Sequence, residues 1–139
     1  MKSIKDMKVL LQQNKQGTAA VEFAIVLPIF VLILLGSIET CTMIFLQQSL
    51  EMAAYEGARV AIVPTTTSLN IESAAKQILT PRHIQNASIS VTPSHFQSAP
   101  YGTFIRVSVS VPCSSNSVIA GGFYSSRTLT GSVEMMKEY

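Results

Sequence analysis

From Thr18 to Ile38 the chain runs for 21 residues with Glu22 as its only formal charge, and Phe23 to Leu35 is interrupted only by Pro28. A carboxylate in such a setting has two readings. It is neutralised by a cation brought from elsewhere, or it lies in the first turn of a helix, where the dipole favours an acid. The other candidates for chemistry are weaker. His83 and His95 lie twelve residues apart beside Pro81 and Pro93, with no Asp, Glu or Cys at metal-ligand spacing. No serine occurs in Gly-x-Ser-x-Gly, and no glycine-rich loop opens a helix as a phosphate site requires. The expectation is therefore a protein that is not an enzyme and that takes no metal or cofactor.

Cys41 and Cys113 leave two alternatives open. If the chain beyond Ile38 is exported, an oxidising compartment permits a disulfide between them. Otherwise Cys41, close to the end of the apolar run, serves as a small buried apolar residue.

The elements that position these residues follow from the pattern of apolar positions. The 21 residues from Thr18 to Ile38 span roughly 32 Å as a helix, enough to cross a bilayer core. Lys2, Lys5, Lys8 and Lys15 precede them against the single acid Asp6, and Glu39 and Glu51 follow, which orients the N-terminus toward the cytoplasm. Beyond Ile38, residues Leu46, Leu50, Ala53, Gly57, Ala58 and Ala61 recur at three- and four-residue steps, so the helix continues as an amphipathic one until Val63-Pro64. Pro28 is expected to kink or locally melt it. The small residues Ala53, Ala54, Gly57, Ala58 and Ala61 read as a close-packing face, and Arg59 reads as a structural partner either for Glu56 one turn away or for the neighbouring Tyr55.

Ile71, Ala74, Ala75, Ile78 and Leu79 mark a short second helix, with Asn70 as its N-cap and Pro81 after its end. The period then becomes two. Ala87, Ile89 and Val91, then Ile105, Val107, Val109 and Val111, then Leu129, Val133 and Met135 alternate with polar residues, which predicts three antiparallel strands with one apolar face. Ser114 to Ser117 and Gly121-Gly122 read as an exposed connection. The fold class is α+β: a long N-terminal helix, half membrane and half amphipathic, packed on a small sheet with a short second helix.

Composition agrees with this division. The chain has 139 residues, 47% hydrophobic and 13% charged, against about 25% charged residues in an average soluble domain. That excludes intrinsic disorder and leaves no room for a two-domain cofactor enzyme. A net charge of +2 is too small to indicate nucleic-acid binding.

The stretch Lys15-Gln16-Gly17-Thr18-Ala19-Ala20-Val21-Glu22-Phe23 resembles the processing site of type IV pilin precursors. More specifically, Gly17 through Ala61, with Leu27-Pro28, Gly36, Ile38-Glu39, Gln48, Leu50, Ala53-Ala54 and Gly57-Ala58-Arg59, resembles the TadE-like family. Its members are minor pilins, or pseudopilins, of tight-adherence (Tad, or Flp) pilus systems. The strand region agrees only in pattern.

The resemblance implies a pilin-like fold, with residues 1–17 a cytoplasmic leader, 18–38 a transmembrane helix and 39–139 an extracytoplasmic α+β domain. It implies that a prepilin peptidase cuts after Gly17, leaving Thr18 as the new N-terminus. Glu22, followed by Phe23, is then the fifth residue, and its family partner is the amine of Thr18 on a neighbouring subunit. The implied partners are the peptidase, other pilin or pseudopilin subunits, the Tad inner-membrane assembly platform and the membrane, with no nucleic acid. Four lysines and one aspartate leave with the leader, so the mature chain carries 2 − 3 = −1. Two alternatives share most of these features: a pseudopilin of a related secretion system, and a signal-anchored extracytoplasmic binding domain that never polymerises.

Overall fold

The structure, a computed structural model, describes residues 4–119 and 122–138, with side chains from Gly17 onward. It comprises two compact units, the first ending at Ile38 and the second beginning at Glu39. Helix α1 (Ile4–Ala61) supplies nearly all of the first unit and the spine of the second. It starts earlier than the apolar pattern predicts. Residues 4–16 contain no proline or glycine and are mostly Lys, Leu, Gln, Met and Val, a composition largely of good helix formers. The helix is also unbroken at Pro28, so the local melting expected there does not occur. One lost N–H is tolerated in a helix this long.

α1 ends where the sequence dictates. Ile62 N–H bonds Ala58 O at 3.3 Å and Val63 N–H bonds Val60 O at 3.1 Å, and Pro64 has no N–H to continue the ladder. Helix α2 (Ser68–Leu79) follows. Its N-cap is Thr67, not Asn70. Thr67 is extended and its Oγ1 accepts from Asn70 N–H at 3.4 Å, which makes Asn70 the third residue of the helix. Pro81 lies in the short 3₁₀ turn after it, Thr80–Arg82.

Three strands complete the second unit: β1 (Ser88–Thr92), β2 (Phe104–Pro112) and β3 (Thr128–Met136). They form one antiparallel sheet in the order β1-β2-β3. Register runs from Phe104 opposite Met136 at one end to Pro112 opposite Thr128 at the other. The period-two reading holds, because Ile105, Val107, Val109 and Val111 are all fully buried while the residues between them face outward. The connection from β2 to β3 is less exposed than predicted. Asn116 accepts from Gln85 N–H at 2.9 Å and donates to Gln85 O and Pro112 O, and Asn86 Nδ2 donates to Ser115 Oγ at 2.8 Å. These bonds close the sheet at its Pro112 end.

The core has two parts along α1. Met43, Leu46, Leu50, Ala53 and Ala54 pack with Ala75, Leu79, Val109, Val111 and Cys113, and Ala58 and Ala61 pack with Ile71, Phe96, Ile105 and Val107. The small-residue stripe is thus a packing face, as its spacing predicts, and Arg59 pairs with Glu56 at 2.8 Å. At the far end of the sheet Lys137 is buried. Its ammonium donates to Phe96 O at 3.2 Å, Gln97 O at 3.0 Å and Ala99 O at 3.1 Å, tying the β1–β2 connection to the end of β3.

β3 meets α1 at Gly131. A Cβ there would lie 2.5 Å from Glu51 N and Leu50 C and 2.8 Å from Leu50 O. Main chain cannot swing aside as a side chain can, so Gly131→Ala is expected to cost about 1–3 kcal/mol, as overpacked substitutions do. Thermal unfolding of the full chain in detergent measures it, and an unchanged midpoint would mean that β3 is not held against α1 in this way.

Candidate functional site

The residues singled out by sequence fall in two places. Gly17, Thr18, Glu22, Phe23 and Pro28 all lie on α1 within the first unit. Thr18 and Glu22 are one turn apart and share a face. The large apolar side chains of this segment are exposed among the described residues. Phe23, Ile25, Ile29, Phe30 and Leu32 are all more than half exposed, and the most apolar window of Gly17–Ala61 is 0% buried. This is one helix long and apolar enough to cross a membrane. Gly17 is itself helical. Nothing lies within 4 Å of where a Cβ would stand, and glycine gives up its helical conformation most readily.

The cysteines are not brought together as a disulfide. Both thiols are free, with Cys41 exposed and Cys113 buried. The reason is helical phase. Glu39 and Met43 are buried on either side of Cys41, and two residues on a helix differ by about 200° in direction, so Cys41 faces away from the sheet. Cys113 instead faces the interior in the 3₁₀ turn Cys113–Ser115.

Beside Cys113 is a residue whose role the sequence reading missed. Glu39, read only as an acid following the apolar run, is fully buried. Ser117 Oγ bonds both Glu39 Oε1 and Ile119 O, sharing its single proton between two acceptors. Glu39 Oε2 has no hydrogen-bond partner among the described residues. Gly122 closes over the carboxylate, since a Cβ there would stand 2.7 Å from Oε1. A signal for this existed in the sequence: extending the stripe Leu50, Leu46, Met43 one further turn toward the N-terminus lands on Glu39. Burial, and after it the nearby Glu39 carboxylate, pushes the Cys113 thiol above its ordinary 9.0 despite Arg127 and two backbone N–H groups acting the other way.

His83 and His95 stand apart, both exposed, and among the described residues no group of three His, Cys, Asp or Glu side chains is placed to hold a metal ion. The site residues near Gly17 belong to the exposed apolar stretch of α1, at the end of it that carries Gly17, Thr18 and Glu22. Residues 17–59 match the family model of the TadE-like proteins. No curated protein and no solved structure matches the chain. The TadE-like match bears out, over residues 17–59, the resemblance read from Gly17 to Ala61. It starts at Gly17, includes Glu22, Pro28 and Glu39, and stops before α2, so the sheet lies outside it.

The thiols give a direct check. In the folded full chain, maleimide at neutral pH is expected to modify Cys41 and spare Cys113 until the protein is unfolded, read by mass spectrometry. Because the folded thiol of Cys113 titrates higher than the unfolded one, its contribution to stability is present below about pH 9 and is lost as pH rises through the folded value. Equal labelling of both cysteines in the native state would contradict the burial of Cys113.

Proposed function

We propose that this chain is a TadE-like minor pilin, or pseudopilin, that acts in assembly of a Tad pilus used for adhesion or surface colonisation. The observation that carries the reading is the family match over residues 17–59, whose first residue is the glycine at which processing is proposed. In this reading a prepilin peptidase removes residues 1–17, the helix from Thr18 anchors the protein in the inner membrane, and the second unit stands on the extracytoplasmic side. The chain performs no catalysis and binds no cofactor. Its partners are the peptidase, other pilin or pseudopilin subunits and the Tad assembly platform in the inner membrane.

Glu22 then acts by charge. A carboxylate in hydrocarbon costs at least about 2.5 kcal/mol on insertion scales. The amine of Thr18 on a neighbouring subunit removes that cost when the two helices lie side by side, so the acid favours docking of a subunit into an assembly over its standing alone. Pro28 frees one backbone carbonyl a turn back, where an adjacent helix can satisfy it. The exposed apolar faces of α1 supply the remaining contact. A secretion pseudopilin would share this chemistry, and recovery of pilus rather than secretion components on pull-down separates the two.

The N-terminal residue of membrane-extracted protein is expected to be Thr18, and an intact Met1 in cells with active prepilin peptidase would sink the reading. Glu22→Ala is expected to leave that cleavage unchanged while lowering pilus incorporation about ten-fold, less than the full pairing energy allows. Unchanged incorporation would remove the role given to Glu22.

A further inference from the structure

The ionic groups of the second unit are unevenly distributed. Arg59 pairs with Glu56, Lys76 with Glu72 and Arg106 with Glu134, and Lys137 is enclosed by carbonyls. Among the described residues Arg82 and Arg127 remain without a carboxylate partner. Both belong to one end of the unit, where β2 finishes at Pro112 and β3 begins at Thr128. Cys113 N–H bonds Arg127 O at 2.9 Å there. The one carboxylate at this end is Glu39, and it is turned inward and fully buried.

Arg82 is held in place. Its Nη1 donates to Ser49 Oγ at 2.9 Å, its Nη2 lies 3.2 Å from Met52 Sδ, and its guanidinium stands 5.6 Å over the ring of Phe45. It lines a cavity of about 300 Å³ together with Thr42, Phe45, His83, Ser115 and Ser117. His83 is fixed by a left-handed backbone at φ 56 that ends the 3₁₀ turn. No acid lines the cavity. A pocket with an arginine, an imidazole and hydroxyls, and with no negative charge, suits a phosphate.

The same end also exposes apolar side chains. Val118 and Phe123, on the chain leading from β2 to β3, are 66% and 72% exposed. That chain is fastened to the first residues after the apolar helix, through Ser117 on Glu39 and through Tyr124, whose hydroxyl lies 3.4 Å from Thr40 Oγ1. Thr42 is four residues past Ile38, a rise of about 6 Å, within a headgroup layer roughly 5–8 Å thick. Tyrosines and apolar rings beside cations are the composition of a membrane interface.

We infer that this end of the second unit is a lipid-docking surface: Arg82, with His83, takes the phosphate of an anionic phospholipid, and Val118 and Phe123 enter the interfacial layer. The inference rests on the membrane-anchored reading of α1. Two features select a lipid as the occupant. The arginines without a carboxylate partner complement anionic headgroups, and two residues of the cavity wall, Thr42 and Phe45, follow the apolar segment directly on α1. Docking would hold the unit against the membrane until it is drawn into an assembly, so lipid charge would compete with subunit addition.

The chain contains no tryptophan, so one introduced tryptophan reports its own depth. Full-length protein carrying Phe123→Trp is reconstituted in vesicles of phosphatidylcholine, or of phosphatidylcholine mixed with phosphatidylglycerol, with bromine on the acyl chains as quencher. Leu32→Trp and Tyr101→Trp serve as reporters within the anchor and at the far end. Leu32→Trp is expected to be quenched in both vesicles, Tyr101→Trp in neither, and Phe123→Trp chiefly in those with phosphatidylglycerol. Adding Arg82→Gln to Phe123→Trp should weaken docking about five-fold, the loss of one basic residue at an anionic surface, while Arg82→Lys keeps most of it. Quenching of Leu32→Trp alone overturns the docking surface and leaves the anchor standing. No quenching of Leu32→Trp overturns the anchor itself. Quenching of Phe123→Trp that ignores Arg82→Gln overturns the phosphate site, and quenching that follows protein density instead of lipid charge assigns the surface to a second copy of the chain.

Discussion

At Gly131 the main chain of β3 comes so close to that of α1 at Leu50 and Glu51 that an added carbon would fall 2.5 Å from two backbone atoms. Much else depends on this contact. With β3 seated there, β2 lies over α1: Ile105 and Val107 pack with Ala58 and Ala61, and Val109 and Val111 pack with Ala53 and Ala54 beside Met43, Leu46 and Leu50. Alanine and glycine on α1 are therefore a requirement of distance, because longer side chains would lift the sheet away and open the space that dispersion contacts now fill. Gln47 reinforces the seat by donating to Thr130 O at 3.1 Å, covering one carbonyl of an otherwise open edge strand.

One helix thus serves two surroundings. From Val21 to Leu35 α1 shows apolar side chains in every direction, which only lipid or other helices can satisfy. From Glu39 onward one stripe is buried against the sheet, and its other side carries Gln48, Glu51, Tyr55 and Arg59 together with the exposed Ile44, Phe45 and Met52. The change occurs over one turn, at a buried acid. Glu39 begins the packed face, and the β2–β3 connection folds over it through Ser117 and Gly122, so the second unit is closed at the residue where the bare helix ends.

How much of this was legible in the sequence depended on the period of the signal. The three strands and their inward faces followed from strict alternation in Ile105 to Val111 and from weaker alternation around Ile89 and Val133. The packing stripe of α1 and the Glu56–Arg59 pair followed from helical spacing. Gly17, Thr18 and Glu22 were legible as a motif, and the family match covers the same positions. The rest was hidden for identifiable reasons. Thr67 displaced Asn70 as N-cap because both are capping residues three positions apart, and local sequence does not say which one starts the turn. The early start of α1 was missed because polar helix formers carry no amphipathic signal. Glu39 was missed because a charged residue at the end of an apolar run reads as solvated, and its burial depends on Ser117, far away in sequence. The same distance hid the free state of Cys41, since chain spacing says nothing of which way a helical side chain points.

The tie between Lys137 and the carbonyls of Phe96, Gln97 and Ala99 bears on the order in which the second unit is built. In chain order α1 comes first and β3 last among the described elements, yet β3 supplies Gly131 against the helix, and Lys137, the residue after it, reaches across the far end. Until β3 arrives, the alanine face of α1 is only partly covered, and the earlier strands have one neighbour too few. Contacts that span so much chain form late. An emerging chain therefore presents a sticky helix before it has the strand that shields it, and stays an open half-domain until the last strand is in place.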